Sequence, residues 1–306
     1  MSDQPAIERI ENAFWQLEIA PDIGASVVNL RALVNHHFEP IMRPTPPDAL
    51  SKHSSSPLSS FILAPFSNRI RGAKFAFNGC EHQLNVTTLD GNTQHGDVRN
   101  RAWTVVKHDA ETLEGWFDSR SVSDFNFLWP ITANVVYELE GNALEVRLEM
   151  RNVSPEPMPA GFGLHPYFVR KLANSSDVVL GFHADGVYQT DASLMPTEAM
   201  QPVPADLDFS SPRAVGAQEL NHGFGWDGRA SLEYPNAGVR VVIEADPIFS
   251  HVVAFTSPDG TLAIEPVTNA TDGFNLMAQG VPGTGVVILE PGAVMTGTVR
   301  FKLETV

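Results

Sequence analysis

Four short segments set ionisable and amide side chains among apolar, glycine and proline neighbours: Ala64 to Gly72, Asn92 to Asp97, Gly161 to Phe168, and Ala263 to Asn275. The third carries His165, whose imidazole can give or take a proton near neutrality. Pro166 removes the next backbone N–H and restricts His165 to an extended conformation, so the ring is expected where a strand ends. A hydrogen-bonded structural histidine fits the same local sequence. The fourth segment carries Glu265 behind the apolar run Leu262-Ala263-Ile264. A carboxyl buried there would have a raised pKa, as suits a general base, whereas on an alternating strand it would face water. Glu290, in Val286-Val287-Ile288-Leu289-Glu290-Pro291-Gly292, is a comparable candidate, and periodicity does not separate the two. His95 can hydrogen-bond a ligand that approaches over Gly96, or can serve as a turn residue. Arg69 offers a rigid fork of donors, for a ligand or for a structural ion pair. General acid–base catalysis is the chemistry open to such a set. The ten histidines include no His-Glu-x-x-His and no other spacing that compels a metal.

The elements that must hold these residues read as β-strands. Apolar and polar residues alternate over Phe14 to Ile19, Lys74 to Asn78, Asn134 to Glu138, Ala143 to Glu149 and Val239 to Glu244. The pairs Asn78-Gly79, Asp90-Gly91, Gly141-Asn142, Asp227-Gly228 and Asp259-Gly260 supply turns that tolerate positive φ, several of them between strand-like stretches. Gly-x-Gly-x-x-Gly, P-loop and heptad patterns are absent, so helix is expected to be minor. The Pro- and Ser-rich stretch from Arg43 to Ser60 reads as a long loop over the sheet, and Pro196 to Pro212 has a similar character. Strand-like sequence resumes on both sides of each, which predicts one all-β domain over residues 1–306.

With 306 residues and 43% hydrophobic content, the chain can bury a sizeable core. Its 20 basic and 36 acidic residues give a net charge of −16, which argues against nucleic acid and anionic membranes as partners. The start of the chain lacks a basic and an apolar signal region, and no apolar run approaches the roughly 20 residues that span a bilayer, so a cytoplasmic location is the expectation. Cys80 is the only cysteine, which rules out an intrachain disulfide or a multi-thiolate zinc site. Asn-X-Ser/Thr sequons begin at Asn85, Asn152, Asn174 and Asn269 and carry weight only in a secreted chain.

Taken together and in this order, the segments resemble the aldose 1-epimerase (galactose mutarotase) family. Asn68-Arg69-Ile70 with Gly72 is similar to the family's Asn-Arg-Ile motif, Gln94-His95-Gly96 to its His-Gly motif, and His165-Pro166-Tyr167-Phe168 to its His-Pro-Tyr-Phe motif. Glu265-Pro266 resembles its late Glu motif, and Leu289-Glu290-Pro291-Gly292 its closing turn. The resemblance runs from about Leu17 to Leu303. It implies a single large antiparallel β-sandwich, the galactose mutarotase-like supersandwich, with an open polar cleft. It implies His165 as catalytic acid and Glu265 as catalytic base, gives Glu290 no catalytic role, and assigns Asn68, Arg69 and His95 to the sugar. The implied reaction interconverts the α and β anomers of a free monosaccharide by ring opening and closure, with no cofactor and no metal. Tyr167, Trp226 and Phe274 could present apolar faces to the sugar, although core packing is the expected role for any one of them. The sequence departs from the family pattern at Asp97, where glycine is frequent, and at Val267-Thr268, where a glutamine is frequent. Asn221 stands where the family carries a substrate-binding Asp, with Asp227 a few residues on as a possible substitute. Two further readings share the fold. One is a hexose-6-phosphate 1-epimerase, for which Arg69, Arg71 and Arg99 could meet the phosphate. The other is a carbohydrate-binding module without catalysis.

Overall fold

A computed structural model describes residues 5–172 and 176–306; the sequon at Asn174 lies outside the described residues. The fold is nearly all β, with 47% strand and 7% helix. Glu8–Glu11, Trp15–Ala20, Ser26–Val34 and His37–Pro40 form a four-stranded antiparallel sheet. It covers one face of a second, fourteen-stranded sheet, where Tyr137 donates its hydroxyl to the Ala25 carbonyl at 2.7 Å. The two sheets share one continuous apolar core, into which Trp15, Leu17, Leu113, Val135 and Leu148 all point. This is the antiparallel β-sandwich that the alternation and the motifs imply.

The alternating stretches are strands: Trp15–Ala20, Lys74–Phe77, Ile131–Glu140, Ala143–Asn152 and Val239–Ala245. Gly141-Asn142 and Asp259-Gly260 join neighbouring paired strands, and Asn78-Gly79 closes the Lys74–Phe77 and Cys80–Gln83 hairpin. Asp227-Gly228 is not a turn. It lies inside the 14-residue strand Asn221–Tyr234, which pairs with His251–Thr256 before this point and with Val239–Ala245 after it. Gly228, at φ +85°, absorbs the change of partner, so the positive-φ signal was correct and the chain reversal was not. Arg43 to Ser60 runs as irregular chain with one 3₁₀ turn at Leu50–Lys52. The one α-helix among the described residues is Gly273–Ala278.

Candidate active site

The Leu262–Val267 strand pairs along its whole length with His251–Thr256. On its other side it meets two short strands in turn, with Gly163 opposite Val267 and Tyr167 opposite Ala263. Continuing that antiparallel register sets His165 directly opposite Glu265, in the gap between Gly163–Leu164 and Tyr167–Phe168. Pro166 and Pro266 flank the gap, and neither has an N–H to close a ladder there. The His165 N–H donates instead to the Phe61 carbonyl at 2.9 Å. Glu265 is also opposite Val253, and Val253 opposite Gly223. Directly opposed residues share a face of the sheet, so Phe61, His165, Glu265, Val253 and Gly223 form one row across it. Two residues along, Tyr167, Ala263, Phe255 and Asn221 form a second row on the same face.

The alternate residues Leu164, Ile264, Ala254 and Phe224 point the other way, into the main core. Phe61, Tyr167, Val253, Ala263 and Val267 make a small separate apolar cluster with Phe255 against it. The strands are therefore buried on both faces, and one face is the floor of a cleft. A one-residue slip would put Glu265 in the main core and Ile264 in the cleft, so the apolar set on each side fixes the register.

The wall opposite the floor is a two-stranded ribbon, Arg69–Ile70 against Thr93–Gln94. It ends in Asn68 and His95, both in the left-handed region at φ +54° and +64°, where the His95 N–H donates to the Asn68 carbonyl at 2.7 Å. Non-glycine residues held there cost about 1–2 kcal/mol each, and such strain concentrates at functional sites. Gly96, at φ +64°, lies so close to the neighbouring chain that a Cβ would stand 1.9 Å from the Ala64 carbonyl oxygen. The segment after Glu265 fastens the ribbon. Asn269 accepts the Ser67 N–H at 3.1 Å and takes the Ser67 hydroxyl on its carbonyl at 2.7 Å. The Asp272 N–H donates to the Arg69 carbonyl at 2.7 Å, while the Asp272 carboxylate accepts the Arg71 N–H at 3.0 Å.

The cleft encloses about 180 Å³ and is lined by Asn68, Arg69, His95, His165, Asn221 and Glu265 together with Gln94, Arg99 and the floor residues. His165 is 4% exposed and Glu265 2%, with His165 Nε2 3.2 Å from Glu265 Oε1. The Tyr167 hydroxyl is 3.4 Å from the same Nε2, and its ring stacks on His165 with centroids 4.5 Å apart. Arg69 Nε, His95 Nδ1, His165 Nδ1 and Glu265 Oε2 are buried without a hydrogen-bond partner. An unmade buried hydrogen bond costs about 1–3 kcal/mol, so four together describe a surface prepared for a ligand rich in donors and acceptors.

Burial pushes the Glu265 carboxyl well above its usual range, against the opposing charge of Arg69. Burial pushes His165 well below 6.5, and the positive charges of Arg99 and Arg43 act in the same direction. His95 is lowered by burial and then by His165, Arg99 and Arg69. The Tyr167 hydroxyl, pushed up to about 12 chiefly by burial, keeps its proton. Raising the carboxyl and lowering the imidazole favours the form in which the pair holds one mobile proton, on the carboxyl with the imidazole neutral. Carrying it across their contact gives carboxylate and imidazolium with no change in proton count. Among the described residues there is no group of three or more His, Cys, Asp or Glu arranged to hold a metal ion.

Six of the seven sequence-derived candidates come together in this cleft. Asp227 does not: it is exposed and accepts the Arg229 N–H at 3.0 Å. It is six residues beyond Asn221 on the same strand, and a rise of about 3.3 Å per residue carries it roughly 20 Å away. Glu290 is exposed and outside the cleft. Asp97 turns away and pairs with Arg101 at 2.7 Å. Of the aromatic candidates only Tyr167 faces the cleft. Trp226 is buried with its Nε1–H donated to the Phe249 carbonyl at 2.7 Å, and Phe274 packs in the core against Phe66 and Phe75. Sequence reasoning missed Phe61, Val253 and Phe255, because apolar residues in doubly buried chain carry no periodic signal that tells a cleft from a core, and Ser56, an exposed polar residue of the Arg43 to Ser60 loop whose sequence does not say where the loop lies.

A histidine and a glutamate face each other on the floor of a polar cleft, carried by an antiparallel β-sandwich of the mutarotase-like fold class. Two solved structures share the fold: a galactose mutarotase-like protein from Clostridium acetobutylicum, at TM-score 0.85 and 19% identity over 100% of both chains, and the GalM/aldose epimerase homologue of C. elegans, at 0.83 and 17% over 99% of both. The uncharacterized YphB of Escherichia coli (strain K12) is 27% identical over 87% of this chain and 89% of its own length. Residues 10–302 match the aldose 1-epimerase family, and the chain belongs to it.

Proposed function

We propose that the protein is an aldose 1-epimerase that interconverts the α and β anomers of a free aldose. The observation that carries this reading is the His165 and Glu265 pair, in contact at 3.2 Å and buried at the floor of the cleft. Ring opening needs a base to take the proton of the anomeric hydroxyl and an acid to protonate the ring oxygen as the C1–O5 bond breaks. In the ionised form of the pair, Glu265 accepts the first proton and His165 gives the second. Rotation about C1–C2 presents the other carbonyl face, and reclosure returns both protons. The pair ends as it began, which suits a reaction with no net proton change. The hydroxyl and ring oxygens of a pyranose match the unpartnered polar atoms of Arg69, His95, His165 and Glu265, and Asn68 and Asn221 offer further amide contacts. Phe61 and Tyr167 form apolar walls beside the ring's place, with the Tyr167 ring packed against His165 and Arg43.

Of the three arginines that a phosphate ester would use, Arg71 is outside the cleft and paired with Asp191 at 2.9 Å, which favours the reading without a phosphate. Polarimetry of freshly dissolved α-anomers tests the proposal. Relaxation faster than in buffer alone is expected for some members of a panel of aldoses. Only the buffer rate throughout, with saturable sugar binding, would replace the enzyme by a carbohydrate-binding module.

A further inference from the structure

Most arginines around the cleft are paired closely with acids. Arg43 pairs with Asp259 at 3.0 Å, Arg71 with Asp191 at 2.9 Å, and Arg101 with Asp97 at 2.7 Å and Asp124 at 2.8 Å. Arg69 lies 3.9 Å from Asp90. Arg99 lines the same cleft as His165, yet its side chain makes no hydrogen bond or ion pair among the described residues. The guanidinium carbon stands 5.0 Å from the centroid of Phe61, the floor ring beside His165, so it has a cation–π contact, and Asp97 acts on it only as a charge beyond ion-pair distance. The nearest acid in sequence, Asp97, is taken by Arg101 and by the Asn126 N–H at 3.1 Å. The guanidinium is half-buried against an aromatic face with its donors uncommitted, which leaves it free to take an anion that enters the cleft.

Resting on the mutarotase reading, we propose that the aldose is anionic, a hexuronate whose carboxylate is held by Arg99. One free guanidinium fork fits one planar carboxylate through two parallel hydrogen bonds. A phosphate dianion would call for a second cation; Arg43 and Arg71 are already engaged, and Arg69, 3.9 Å from Asp90, is the one that remains, so the 6-phosphates stand in the test as the rival anion. Arg99 acts here as a specificity residue: it fixes the end of the sugar remote from the anomeric carbon while His165 and Glu265 work at C1.

The test measures exchange between the two anomeric proton signals by NMR saturation transfer at low salt. The panel is galacturonate and glucuronate, their neutral parents galactose and glucose, and the two 6-phosphates. Wild-type kcat/KM is expected to be on the order of 10–100-fold higher for a uronate than for its parent, the worth of a charge-assisted hydrogen-bonded contact. Arg99→Gln should collapse that ratio toward one, mainly through KM for the uronate, and Arg99→Lys should restore part of it. Equal or better turnover of the neutral parents, preference for a 6-phosphate, or an equal loss on both sugar types in Arg99→Gln would each overturn the inference and leave the mutarotase reading standing. No acceleration of any sugar would remove both. Wild-type selectivity decides the matter even should the glutamine variant fold poorly.

Discussion

Replacing Glu265 by Gln separates what this residue does for the reaction from what it costs the fold. The side chain is buried and its carboxyl is raised well above the usual range, so the neutral amide matches the protonated form in size and charge. The new amide can donate to His165 Nε2 across the same 3.2 Å as the protonated carboxyl does. It cannot pass that proton on or accept one from the anomeric hydroxyl. Both halves of the acid–base cycle then fail, and a loss on the order of 10⁴ in kcat is expected. The effect on stability has the opposite sign. The folded pKa is raised, so the stability associated with the protonated carboxyl is complete below the unfolded value near 4.5. It drains away as pH rises toward the folded value, by about 1.4 kcal/mol per pH unit. Glutamine has no proton to lose, so Glu265→Gln should unfold at higher urea than wild type at pH 7, and the gap should shrink toward pH 4.5. Paired urea titrations at pH 4.5, 5.5 and 7 with polarimetric rates provide the assay. A variant less stable than wild type at pH 7, or a gap that does not change with pH, would refute the account of Glu265 as a strained, protonated base.

The active proton count of the pair is one, so kcat/KM should follow a bell in pH. Its acid limb should lie well below 6.5, following the depressed His165, and its alkaline limb should follow the raised Glu265 proton; a rate that climbs steadily with pH would contradict this. His251, whose burial lowers it to about 4, hydrogen-bonds Tyr188 and Ser250 rather than the cleft. Its depressed folded value means stability present above 6.5 is lost as pH falls toward 4, a drop of about 3 kcal/mol that His251→Gln should largely abolish in acid-unfolding curves. Gly96→Ala forces a left-handed alanine with its Cβ 1.9 Å from the Ala64 carbonyl. A destabilisation of about 2–5 kcal/mol is expected by urea titration, together with loss of anomerisation.

Much of the scaffold was legible because half-buried strands advertise themselves. Ala143–Asn152 and Val239–Ala245 alternate cleanly, and Gly141-Asn142 and Asp259-Gly260 reverse the chain where the turn chemistry says. Asp227-Gly228 misled because a glycine at positive φ serves equally to end a strand or to let one strand change partners. The site was harder. Nothing local distinguishes Glu265 from Glu290, since the Leu262–Val267 strand is covered on both faces and shows no alternation. What separates them is pairing with a residue one hundred positions earlier, and periodicity carries no information about register between distant strands. The ordered motifs supplied it; the geometry then removed Asp227, whose distance along its own strand no motif conveys.

The floor strands serve two masters that do not share atoms: one set of residues closes the main core, and the alternate set shapes the cleft. Changes at Val253 or Phe255 fall on the small cluster and leave the large core intact, whereas Phe61 also packs on His165, with ring centroids 4.6 Å apart. Such a chain can explore new sugars at little risk to its solubility or yield. Directed evolution of substrate range should therefore begin with Val253 and Phe255, varied together because they lie in adjoining rows, while Phe61 beside His165 and Leu164, Ala254 and Ile264 behind the floor are held constant.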